Sequence, residues 1–195
     1  MIVPGRKKVL NGLGLISGHI VRKSQTSILF VTEKFNSAIK NILVPLDFSK
    51  HSVIALDLAL KFQEHTNANI HFSHIYSVPI GFYKTGKSYE EFAEIMKGHA
   101  VNDLELFLKQ NDVPNDYPCE YILSDDESKA KLLNTYAHES DMDLILIGSR
   151  GRTRTSALLI GSIVEKVLLL DSNIPILIVK NRGENMGFFE ALMKL

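Results

Sequence analysis

DLILIGSRGRTRTSALLIGSIVEKVL (143–168) is the stretch on which the reading of the whole chain turns. It opens on a short apolar run rich in β-branched residues, the composition of a strand covered on both faces. It then passes through Gly148, Gly151 and Gly161, with Arg150, Arg152 and Arg154 among them. It closes on Ile160, Val164 and Val167, an apolar stripe at helical spacing. A strand, a glycine-rich turn and a helix in that order put the turn beyond the carboxyl end of a strand. Open α/β sheets bind their ligands there, at the point where strand order reverses.

The same alternation runs outward from this stretch. NILVPL (41–46) and IPILIV (174–179) are further apolar strand runs, and NIHFSHIY (69–76) and CEYIL (119–123) are strand candidates. Between them lie three helical stripes: Val53, Leu56 and Leu60; Ala93, Ala100, Leu104 and Leu108; Ala130, Leu133 and Ala137. Ser88 with Glu91, and Ser124 with Glu127, have capping-box spacing at the starts of the second and third helices. Strand and helix alternating from 41 to 180 predict an α/β fold: a parallel sheet with helices on both faces, Rossmann-like.

Composition narrows the function classes. The chain of 195 residues has 22 basic and 22 acidic side chains and is 45% apolar, enough for a sizeable core. The charge balance argues against a general nucleic-acid binder. A single cysteine, Cys119, excludes an internal disulfide and suits a reducing compartment. No apolar run approaches bilayer length, and MIVPGRKKVLNG (1–12) lacks the apolar core of a secretory signal. A cytoplasmic protein without membrane insertion is expected.

Gly148 and Gly151 allow close approach of a ligand to the main chain. Gly161 and Ser162 stand where the fourth helix begins, and a helix start offers unpaired N–H groups to phosphate. A glycine-rich turn with solvated arginines is the plainer reading of the same spacing. The pattern Gly148-x2-Gly151-x9-Gly161-Ser162 resembles the nucleotide-binding signature of the universal stress protein family, G-x2-G-x9-G-[S/T], at every defined position. NILVPLDFSKHSVIALDLAL (41–60) resembles the family's opening strand and helix. The resemblance covers about residues 40–181, and it is strongest at the two ends.

The resemblance implies a five-stranded sheet of order 3-2-1-4-5, a homodimer formed through the last strand, and the ATP-binding branch of the family. Carried over by position, it places Asp47 near the adenosine with Pro45 beside it. Ile75 would contact adenine through its backbone. Gly148, Gly151, Gly161 and Ser162 would surround the ribose and phosphates, Ile163 would add an amide, and Arg152 would neighbour a phosphate. Asp47 is also a candidate magnesium ligand, should Mg accompany ATP, AMP or ADP. An Asp before FS could instead cap the first helix.

Other chemistries fit less well. A phosphate-accepting receiver domain needs paired acids before Asp47, where Val44, Pro45 and Leu46 stand. NGLGLISG (11–18) is a near miss to a dinucleotide fingerprint without the βαβ unit around it. His71 and His74 are three apart in a strand and face opposite sides, a poor metal pair. Cys119 has no cysteine partner and reads as inert packing. No catalytic residue is assigned. The expected function is a regulatory, stress-response module that binds adenine nucleotide. A slow ATPase or autophosphorylating phosphotransferase is the first alternative, and a nucleotide-free interaction scaffold the second.

Residues 1–37 form an extension, 38–182 the nucleotide-binding domain, and 183–195 a short helix carrying Phe188, Phe189, Leu192 and Leu195. LISGHIVRKSQTSILFV (15–31) aligns without gaps on IVEKVLLLDSNIPILIV (163–179) at an offset of 148. The extension therefore reads as a second copy of the last helix and strand, the tail of a preceding domain. Residues 26–32 are expected to pair with 174–180, within one chain or between two.

Overall fold

The structure is a computed structural model describing residues 1–5, 20, 21, 23, 24, 26–33, 35, 38–125, 127–151, 160–170 and 172–180. The expected C-terminal helix, the 11–18 glycine run, Arg152 and Arg154 lie outside the described residues. The strands are β1 (Ile28–Phe30), β2 (Asn41–Pro45), β3 (Asn69–Tyr76), β4 (Cys119–Leu123), β5 (Leu144–Gly148) and β6 (Ile176–Val179). The helices are α1 (Lys50–Thr66), α2 (Tyr89–Gln110), α3 (Lys129–Glu139) and α4 (Ser162–Leu169). The sheet order is β1-β6-β5-β2-β3-β4.

Five strands, β2 to β6, are parallel and in the expected relative order. The expectation of a five-stranded, wholly parallel sheet is corrected at one edge: the sheet has six strands, and β1 pairs antiparallel with β6. The reason is chemical. β6 is buried along its length, and an uncovered apolar edge is a template for further pairing. The extension supplies the missing strand from within the chain.

Alternation along each strand divides the core. Ile42 and Val44 of β2 and Leu144 and Leu146 of β5 pack under α1 and α2, against Leu56, Leu58, Phe62 and Leu108. Leu43, Ile145, Ile147 and Ile178 point to the other face, against Leu133 and Ala137 of α3 and Val164 and Val167 of α4. Strands buried on both faces explain the unbroken apolar runs in the sequence.

Local signals set the helix ends, with one exception. Ser88 and Glu91 form the expected capping box at α2. The expected box of Ser124 with Glu127 does not form: α3 begins after Ser128, which makes no side-chain cap bond. Ser124, just past β4, is tied to the sheet: its N–H donates to Tyr76 O at 2.8 Å. Its hydroxyl donates to Glu127 O at 3.3 Å instead. Cys119 is packed as expected, and burial pushes its thiol up to about 12.

The extension is bound closely to the domain. Ile28 pairs with Ile178, Leu29 with Leu177 and Phe30 with Ile176. Leu29 and Leu177 are equivalent positions in the alignment at an offset of 148, so the pairing is a local two-fold about them. Residues 1–5 extend the likeness. Gly5 bridges Val31 in parallel, as Gly148 pairs with Val179. Lys180 fastens the assembly: its N–H donates to Ser27 Oγ, and its Nζ donates to Val21 O and Ser24 O at 2.6 Å each.

Candidate functional site

β2 and β5 are neighbours in the sheet, and their carboxyl ends face α1 and α4. β2 ends at Pro45, which has no N–H to continue a ladder. Three residues on, Phe48 takes a left-handed backbone conformation (φ 61°), unusual for an aromatic residue, and turns the chain into α1. Stacking holds that turn: the Phe48 ring lies 4.4 Å from His74 and 5.5 Å from Phe107. His74 Nδ1 is 2.7 Å from Leu46 O. Asp47, between Leu46 and Phe48, is thus set at the carboxyl edge.

Asp47 Oδ1 accepts from Ser52 Oγ at 2.6 Å and from Ser49 N at 3.1 Å. Ser49, not Asp47, is the N-cap of α1, with its hydroxyl accepting from Ser52 N. Asp47 therefore braces the start of α1 and also lines a cavity of about 460 Å³. That volume lies within the ~300–1,000 Å³ typical of small-molecule sites.

β5 and α4 enter from the other side. Gly161, at the start of α4, is joined to Ser149, just after β5, its N–H donating to Ser149 O at 2.9 Å. Gly161 is the N-cap of α4 and provides no side-chain cap, whereas Ser49 and Ser88 cap α1 and α2. The first-turn amides of α4, from Ser162 onward, have no i−4 carbonyl to bond within the helix. Gly161, Ser162 and Ile163 all line the cavity.

The cavity brings together Pro45, Asp47, Ile75, Gly148 and Gly151 with those three. Arg152 lies outside the described residues, while Arg150 lines the cavity. A Cβ on Gly148 would stand 2.6 Å from His51 O, and one on Gly151 would stand 2.6 Å from Asp47 Oδ2. The first glycine lets α1 approach β5, and the second lets the turn approach Asp47.

His51 lies in the same first turn of α1. Burial, then the Arg150 guanidinium, lower its pKa below 6.5, partly opposed by Asp47. Burial alone lowers His71. Both imidazoles take up protons more readily in the unfolded chain. Stability is therefore full above pH 6.5 and falls as pH drops through the lower folded values. Urea titrations at pH 7.5 and about 5.5 should show the lower midpoint in acid; an unchanged midpoint would exclude this linkage.

Residues 38–180 match the universal stress protein family. The chain belongs to that family. Universal stress protein MJ0577 of Methanocaldococcus jannaschii is 29% identical over 160 residues, covering 74% of this chain and 96% of that protein. The solved structure of MJ0577 has a TM-score of 0.59 at 26% identity, over 75% of this chain and 99% of that one. A putative universal stress protein of Pseudomonas aeruginosa has a TM-score of 0.67 at 15% identity. That match takes in 92% of this chain, which spans 62% of the longer Pseudomonas chain. A universal stress protein solved in complex with cAMP has a TM-score of 0.50 at 19% identity, over 73% of this chain and 97% of that one.

Several lining residues of this universal stress protein escaped sequence reasoning. Ser52 had a signal: it sits five residues after Asp47, one turn into a helix. Ser73, Lys129 and Leu133 had none, because only strand register and helix packing bring β3 and α3 to the cavity. Among the described residues no helix is long and apolar enough to cross a membrane, and no group of three metal-ligating side chains occurs.

Proposed function

We propose that the cavity binds an adenine nucleotide, with ATP the first candidate, and that the chain is a regulatory module acting through partner choice. The observation that carries this reading is the uncapped start of α4, which lines one cavity with Gly151 and Asp47. Anions are favoured at such a helix start by unpaired amides and the helix dipole. The relative solved with cAMP supports an adenine nucleotide as the ligand class.

In this reading the α4 amides of Ser162 and Ile163, with Gly148, Gly151 and Gly161, hold ribose and phosphates. Asp47 and Pro45 flank the adenosine, and the Ile75 backbone meets adenine. Arg152 remains a proposed phosphate neighbour. Asp47 Oδ1 already accepts two hydrogen bonds. Magnesium would therefore be held chiefly by the nucleotide's phosphates, with Asp47 as one ligand. Residues 1–37 are proposed to be the tail of a preceding domain, supported by the two-fold pairing about Leu29 and Leu177. A homodimer through the last strand would first require β1 to leave β6.

Nucleotide released from the purified protein, identified by mass spectrometry, together with calorimetric titration of ATP, tests the reading. ATP binding with turnover far slower than release is expected. Absence of both copurified nucleotide and measurable ATP binding would refute it. Rapid hydrolysis lost in Asp47→Ala would favour an enzyme.

A further inference from the structure

Ser73 is 1% exposed, and its Oγ has no hydrogen-bond partner. That sets it apart from four other buried hydroxyls. Ser52 Oγ donates to Asp47, and Thr32 Oγ1 donates to Asn173 O. Ser27 Oγ accepts from Lys180 N, and Ser172 Oγ accepts from Ile174 N. The backbone of Ser73 is occupied, its carbonyl accepting from Leu46 N at 2.8 Å, so the strand makes no demand on the hydroxyl. His51 Nδ1 and Asn134 Oδ1 also lack partners, but neither residue lines the cavity. Ser73 does.

Register locates it. Ser73 stands beside Pro45 in the β2–β3 ladder. Ile42 pairs with Leu144 and Leu43 with Ile145, and the same register extended brings Ile147 level with Pro45. Ile147, Pro45 and Ser73 thus form one row across three strands, and all three line the cavity. Neighbours at one level of a parallel sheet share a face. The row is the floor, with Leu133 and Val164 among its walls. Ser73 brings the one polar side chain to an otherwise apolar row, in the same cavity as the proposed phosphate-binding residues Gly161 and Ser162. A flat heterocycle with a polar edge matches such a floor; a phosphate does not.

We propose that the Ser73 hydroxyl is a specificity-determining group that hydrogen-bonds the base of the bound nucleotide. The inference rests on the adenine-nucleotide reading of the cavity and deepens it. A buried hydroxyl without a partner destabilises the ligand-free protein, and the ligand supplies the missing bond. Removing the hydroxyl therefore has opposite effects on the two states.

The test is Ser73→Ala in the full chain. Without ligand, its Tm is expected to rise by about 2–4 °C. Its affinity for ATP is expected to fall roughly tenfold by calorimetry, about one hydrogen bond's contribution. Its affinity for inorganic tripolyphosphate, which has no base, should match the wild type. Equal ATP affinity in the two proteins, or a lower Tm without ligand, overturns the role of Ser73 while leaving the cavity a nucleotide site. Equal weakening of ATP and tripolyphosphate also overturns it, since the hydroxyl would then act on the phosphate end. Failure of the wild type to bind ATP refutes the nucleotide reading and this inference together.

Discussion

Gly161→Val is expected to fold and to lose nucleotide binding by roughly a hundredfold or more, equivalent to about 2.7 kcal/mol. Gly161 has φ −62° and ψ 141°, angles open to any residue. A Cβ there meets its nearest neighbour, Arg150 Cα, at 3.4 Å, within ordinary contact. Valine is a poorer N-cap than glycine, which costs about 1 kcal/mol of stability. Its branched side chain would crowd the α4 amides that the proposed phosphate needs. Gly148→Ala should do the reverse. Its Cβ would lie 2.6 Å from His51 O and 2.9 Å from His51 C, both backbone atoms of α1. α1 would have to move off the sheet, destabilising the fold by about 1–3 kcal/mol or more. Chemical denaturation and ATP titration of both variants separate the cases. A well-folded Gly161→Val protein with wild-type affinity would remove the α4 start from the site.

A chain beginning at residue 38 is expected to change its oligomeric state. The full chain should sediment as a monomer, because β1 already covers β6 and residues 2–5 cover the outer side of β1. Ile28, Leu29 and Phe30 are at most 1% exposed. Each contributes about 1.5–3 kcal/mol through burial. Losing them bares an apolar edge, Ile176–Val179, along which a second copy can pair. The two-fold relation shows how: the partner's Leu177 would take the place of Leu29. Sedimentation should find the shortened chain as a dimer or a larger association. A full chain that is dimeric, with a monomeric shortened form, would contradict this account. Leu29→Asp gives a full-length check, since a charge forced into that contact should loosen β1 without shortening the protein.

Much of the candidate site's lining was legible in the sequence because its parts lie close together in it. Gly148, Gly151, Gly161, Ser162 and Ile163 fall within one strand–turn–helix unit, and Pro45 and Asp47 within another. Ile75 required the further expectation that the second strand neighbours the first. The error at Ser124 shows the limit of local signals. Capping-box spacing was present, but the bond from Ser124 N to Tyr76 O ties that residue to β3. A spacing rule cannot weigh a ladder bond to a strand some fifty residues earlier.

The sequence by itself determined the five parallel strands, their helices and the glycine turn at a strand end. Hydrophobic period and glycine placement are local properties, and burial on both faces leaves continuous apolar runs. It also carried the expectation that the extension repeats the last helix and strand. Only the tertiary structure decided that the extension closes the sheet within its own chain, about Leu29 and Leu177. The tertiary structure alone sets Gly5 beside Val31, as Gly148 stands beside Val179. Ser73 likewise acquired meaning only from register, which places its unpaired hydroxyl beside Pro45 on the floor of the cavity. Which edge is covered and which polar group lacks a partner depend on strands far apart in sequence, and no local pattern encodes that.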